Sequence, residues 1–217
     1  MASHGTIVDL RALLAERFPA PPAIPRHLFI TGLPFERIIG GGFPKGAITE
    51  VISPHMSGGS ASLIAALIRS AYRDRYFVAL IDGNDSFDPQ PLGHDALQHL
   101  LWLRCHTTVE AVKSADLLLR DGNFPLIVID LGLNSARDVR KIPQTSWYRL
   151  QRLAEPTSSV FLVLTRFSTV SSAQLKILLE NTWTLQSLAN KNAIASIRFR
   201  VQRSHGFSSA LPNVVAG

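Results

Sequence analysis

Residues 50–72 read EVISPHMSGGSASLIAALIRSAY, an apolar run, a Gly/Ser loop and a second apolar run at helical spacing. That is the layout of a phosphate-binding loop, G-x-x-x-x-G-K-[ST], whose backbone amides cradle phosphates while its lysine reaches the terminal ones. In that frame Ser53 stands at the first glycine, Gly58 at the second, Gly59 at the lysine and Ser60 at the hydroxyl. The loop architecture is present and its charge is missing. Helix-end amides alone can still hold an anion. Two readings follow: a turn of incidental composition, or a nucleotide-binding fold that no longer uses nucleotide. A second chemical position is Asp130, which ends the apolar run PLIVID as a magnesium-organising aspartate does. A third is the strand end ALIDGNDSFDP at 79–89.

Alternating strands and helices must position these residues. The sequence predicts strands at 47–53, 76–82, 100–105, 125–130 and 159–167. The last two are continuous apolar runs of the kind buried on both faces of a parallel sheet. Helices are predicted at 58–73, in PLGHDALQHL, over TTVEAVKSADLLLRDG with a threonine at its N-cap, and in SWYRLQRLAE. A helix is expected near 171–181, followed by an antiparallel hairpin of TWTLQSLA and AIASIRFRVQ around the turn NKN. The fold class is therefore α/β with a mostly parallel core sheet and ligands at the carboxyl ends of its strands. Before it, residues 6–18 place Ile7, Leu10, Leu14 and Phe18 near helical spacing, and PAPPAIPRH makes a stiff extended linker. The expected organisation is an N-terminal helix and linker over 1–30, a core over 31–203 and a tail over 204–217.

The chain of 217 residues is 46% hydrophobic and 18% charged, the composition of one sizeable globular domain. No apolar run reaches the roughly 18 residues needed to cross a bilayer. The N-terminus lacks the layout of an export signal, so a cytoplasmic protein is expected, free to associate with the nucleoid. The single cysteine, Cys105, forms no internal disulfide, and no metal-ligand spacing of Cys or His appears. Net charge is +6, with basic residues in excess from Arg137 onward. That excess points to a polyanion or an acidic partner, against the plainer reading of a solvated basic face.

Four segments together resemble the RecA-like recombinase core. They are TGLPFERIIGGGFPKGAITEVISPHMSGG, ALIDGNDSFDP, FPLIVID and the TLQSLA…IASIRFRVQR ending, in order from Thr31 to Arg203. The chain looks most similar to the shortened ImuA/SulA-like branch. ImuA-type members accompany error-prone polymerases, and SulA blocks cell division during DNA damage. The resemblance implies a RecA-like P-loop NTPase fold closed by a C-terminal antiparallel hairpin. It also makes the departures informative. Asn84 falls where such ATPases place the glutamate that activates water, and asparagine cannot accept that proton. Losing one charge-stabilising donor costs on the order of 10²–10³ in rate, and losing a general base costs roughly 10²–10⁴. The reading is a pseudo-ATPase with no catalytic residues and no expected cofactor, ATP–Mg being the disfavoured alternative.

The segment 131–146, LGLNSARDVRKIPQTS, has few glycines, and only STVSS separates FLVLTRF from the next element, so strand exchange is not expected. Phosphate contact needs only accessible cations. Arg137, Arg140 and Lys141 qualify. So do Arg198 and Arg200, which alternate with Ile197, Phe199 and Val201, the plainer alternative being a charged, aggregation-resistant edge strand. Arg203 falls near where recombinases place lysines that touch a neighbour's nucleotide. Trp102, Trp147 and Trp183 read as core or interface. The implied function is a non-catalytic accessory protein of the DNA-damage (SOS) response that brings translesion polymerase components to DNA. Self-association or partner docking would run through Ile7, Leu10, Leu14 and Phe18. The alternatives are an ATP-dependent DNA-binding or recombination protein with an atypical loop, and a SulA-type division inhibitor.

Overall fold

Runs such as LIVID and VFLVLT leave water only if both faces of the strand are covered, which requires a sheet sandwiched between helices. The structure is a computed structural model that describes residues 28–56, 58–181 and 197–204. The helix expected at 6–18, with Ile7, Leu10, Leu14 and Phe18, the Pro-rich linker, Trp183, TWTLQSLA and the tail after Ser204 lie outside the described residues.

β1 (Leu28–Phe29) and β2 (Phe43–Pro44) form a short antiparallel ribbon. The chain continues through β3 (Ala47–Ile52), α1 (Ser60–Asp74), β4 (Val78–Asp82), α2 (His94–Leu97), β5 (Leu100–Arg104), α3 (Thr108–Asp121) and β6 (Leu126–Asp130). α4 (Ala136–Arg140), α5 (Gln144–Ala154), β7 (Val160–Thr165), β8 (Leu175–Leu179) and β9 (Phe199–Ser204) complete it. The main sheet runs β5-β4-β6-β7-β3-β8-β9, all pairs parallel except β8 with β9. Side-chain alternation divides the core in two. Val51, Leu80, Val128 and Leu162 pack beneath α1 with Leu63 and Leu67. Ile48, Ile81, Ile129 and Val163 pack beneath α3 and α5, around Ala115 and a fully buried Trp147. The predicted cap is present: Thr107 Oγ1 accepts the Glu110 N–H at 3.2 Å.

One element differs from expectation. The helix expected near 171–181 is replaced by β8, which fills the slot between β3 and β9. The antiparallel pairing therefore joins 175–179 to 199–204, with a bulge between Lys176 and Ile177. Lys176 disguised this strand. In sequence it resembles the polar face of an amphipathic helix, yet it is buried and its ammonium lies 2.6 Å from the buried Glu50 carboxylate. Glu50 Oε1 also accepts the Thr169 and Val170 N–H groups at 2.6 and 3.0 Å. The short helix-free crossover from β7 to β8 is thus pinned over β3 by one carboxylate.

Breaking a buried pair from one side strands a charge and costs about 3–5 kcal/mol, whereas removing both partners costs far less. Denaturant melts of Lys176→Met should show that loss. The double variant Glu50→Gln/Lys176→Met should recover much of it.

Candidate functional site

The carboxyl ends of β3, β4, β6 and β7 meet at one edge of the sheet. Their apolar strands deliver polar residues there in turn. The loop from β3 to α1 folds on itself. Ser53 Oγ donates to the His55 carbonyl at 3.2 Å, and the Gly58 N–H donates to the same carbonyl at 3.0 Å. A Cβ at 58 would lie 2.3 Å from Ser53 Oγ and 2.9 Å from the backbone oxygen of His55, so glycine fits this close approach. Gly59 is the N-cap of α1 with φ +96°, a left-handed conformation that costs other residues backbone strain. A side chain at 59 would set out towards Asn181 Nδ2 and Ile197, 3.3 and 3.6 Å from the position of its Cβ.

A cleft of about 440 Å³ opens beside this loop, lined by Ser53, Ser60 and Asp130 among others. Exposed Arg69 and Arg166 and exposed Met56 and Leu133 also line it. Gly58 and Gly59 do not. They back onto Asn181 and Ile197 instead, so the structure divides the predicted loop residues between two surroundings. Asn84 is exposed and does not line the cleft. The organising residue at that strand end is Asp82, which sequence reasoning passed over. Its buried carboxylate accepts the Ser86 and Phe87 N–H groups at 2.8 Å and the Trp102 Nε1–H at 3.3 Å. An aspartate closing an apolar strand before Gly-Asn-Asp-Ser was the available signal, since such turns need an acceptor for their amides.

Asp82 and Asp130 are register partners on adjacent parallel strands. Burial pushes the Asp130 carboxyl up to about 6; the Gly132 N–H, donating at 2.9 Å, opposes that rise and the Asp82 charge adds to it. Among the described residues no group of three or more His, Cys, Asp or Glu is arranged to hold a metal ion.

The candidate basic residues separate by position. Arg137 is exposed on α4, whose N-cap Ser135 accepts the Asp138 N–H at 3.1 Å. Lys141 pairs with Asp138 at 2.9 Å, and the Arg140 guanidinium sits 4.8 Å over the Phe167 ring, joining the segments after β6 and β7. Because β9 is antiparallel to β8, Arg198, just before it, and Arg200, its second residue, lie at the same carboxyl edge. Arg198 is exposed, and Arg200 pairs with Glu180 at 2.7 Å. Arg203 lies towards the other end of the strand, where it donates to the Ser171 carbonyl at 3.1 Å. Trp102 is half-buried and Trp147 fully buried.

A mostly parallel sheet with a Gly/Ser loop entering a helix at its carboxyl edge, and aspartates ending neighbouring strands, defines an α/β domain of P-loop NTPase type. Within that class, residues 31–136 match the family model described as the RecA N-terminal domain. Similar proteins include Protein RecA of Thermus aquaticus, 34% identical, and of Corynebacterium pseudotuberculosis, 40% identical, each over 93 residues. Protein RecA of Clostridioides difficile is 34% identical over the same length. Each alignment covers 42% of this chain and respectively 27%, 25% and 26% of those proteins. The chain thus spans about a quarter of the length of these relatives and carries a RecA-like core. No helix among the described residues is long and apolar enough to cross a membrane.

The raised Asp130 pKa has a signed consequence. Folded Asp130 keeps its proton to about pH 6, against an ordinary value of 3.8. Between those values the folded state binds the extra proton, so stability falls as pH rises and stays lower above about 6. Asp130→Asn should remove that decline and raise stability at pH 7 by about 1–3 kcal/mol. Melts from pH 3.5 to 7.5 check it.

Proposed function

We propose that this protein is a non-catalytic RecA-like accessory factor that holds DNA through its phosphates, independently of nucleotide, and presents a partner there. The observation that carries the reading is the state of the loop. The Gly58 N–H, which a phosphate cradle would aim at its ligand, is bonded to the His55 carbonyl. The lysine position is a left-handed glycine facing Asn181 and Ile197. Asn84 cannot accept a proton, and the buried Asp82 carboxylate is engaged by the 84–87 turn. These residues do not fit a nucleoside triphosphate bound in the loop, and no hydrolytic step is derived for them.

DNA contact is supported by the exposed guanidinium groups of Arg137 and Arg198 and by Arg140 stacked on Phe167, all at the carboxyl edge. Cations there can track a backbone without reading sequence. Arg200 and Lys141 are partly neutralised by Glu180 and Asp138 and contribute less. Arg203 belongs to the structure of β9 in this reading. The partner class that the ImuA-like resemblance supports is the error-prone polymerase, in the cytoplasm at the nucleoid.

Fluorescence anisotropy with a labelled single strand should show sequence-independent binding that weakens steeply with salt and is unchanged by ATP–Mg. Arg137→Glu/Arg198→Glu should weaken it and flatten the salt slope by about 1 per phosphate contact removed. Binding that requires ATP, or an unaltered isotherm for the double variant, would contradict the proposal.

A further inference from the structure

The loop has lost its lysine, yet the space beside it is filled. Asn181 lies just beyond β8, 7% exposed. Its Nδ2 donates to the Gly58 carbonyl at 3.3 Å, and its Oδ1 accepts the Arg198 N–H at 2.9 Å. Ile197, also 7% exposed, packs against the same left-handed turn. The Glu180 N–H donates to the Arg198 carbonyl at 3.0 Å, so Asn181 continues the β8–β9 pairing up to the loop. One primary amide therefore spans two segments that no sequence neighbourhood joins: the entry to α1 and the residue that leads into β9. It uses its donor on one and its acceptor on the other.

We propose that Asn181 is the positioning residue of the basic edge, a built-in bridge standing where a loop ligand would otherwise link the two elements. In a loop that answers to a ligand, contact with the neighbouring strands comes and goes with occupancy. Here the contact is supplied by the chain, so Arg198 and Arg200 are held at the carboxyl edge at all times. The Asn181 amide carries no charge and asks for none at residue 59, which explains why a glycine is tolerated where the cradle needed a cation. This assignment of role to the edge rests on the DNA-binding reading above; the bridge itself does not.

The test uses the full chain and two variants. Asn181→Ala removes both bonds. Asn181→Asp keeps an acceptor for the Arg198 N–H and loses the donor to Gly58. Amide hydrogen exchange without DNA should rise at least tenfold for Asn181→Ala in peptides covering both 53–63 and 197–204, with α3 and α5 unchanged. For Asn181→Asp the rise should be confined to 53–63. Single-strand affinity should fall three- to tenfold for Asn181→Ala and much less for Asn181→Asp, a split that general destabilisation would not produce. If Asn181→Ala loosens only one of the two peptides, the bridge is overturned. If both loosen while Asn181→Ala binds the single strand as tightly as the wild type does, the positioning role is overturned. A wild type that exchanges as expected but binds no DNA sinks the DNA-binding reading and leaves the bridge standing. Should Asn181→Ala fail to fold, the Asn181→Asp pattern decides: equal loosening of both peptides contradicts the proposal.

Discussion

Everything at the carboxyl edge depends on how the backbone passes from β3 into α1. Residues 53–59 must turn sharply while leaving the first amides of α1 with somewhere to point. The chain solves this internally. A shared carbonyl, His55, takes both the Ser53 hydroxyl and the Gly58 amide, and a left-handed glycine at 59 starts the helix. Closing the turn this way engages the Gly58 amide and the Ser53 hydroxyl within the loop itself. The β8–β9 pair then seals its back through Asn181 and Ile197.

Charge within the domain follows the same economy. Glu50 and Lys176, both buried, answer each other and tie down a crossover too short for a helix. Asp82 is satisfied by a turn it organises. Asp130 is the exception, a carboxyl that burial and the Asp82 charge keep partly protonated towards neutrality. The cost of that burial falls on stability.

Much of this was legible in the sequence. Continuous apolar runs identified β6 and β7 as central strands, and the Gly/Ser loop was recognisable as the passage from β3 into α1. The misread element was β8, because a lysine inside an apolar run signals a helix face unless its partner is known. That partner, Glu50, lies more than a hundred residues earlier. Asn181 was invisible for a related reason: its role consists of two contacts made across the fold, one to a glycine carbonyl and one to a backbone amide. Neither leaves a mark on residue type or spacing. Asp82 was masked by attention to Asn84, two residues on.

The central claim is that the loop is a closed structural joint. Calorimetric titration of the intact protein with ATP–Mg addresses it most directly. The account predicts no heat of binding and no affinity tighter than the millimolar range. A micromolar dissociation constant would contradict it, because the loop would then have to free its Gly58 amide from the His55 carbonyl while Asn181 holds the Gly58 carbonyl.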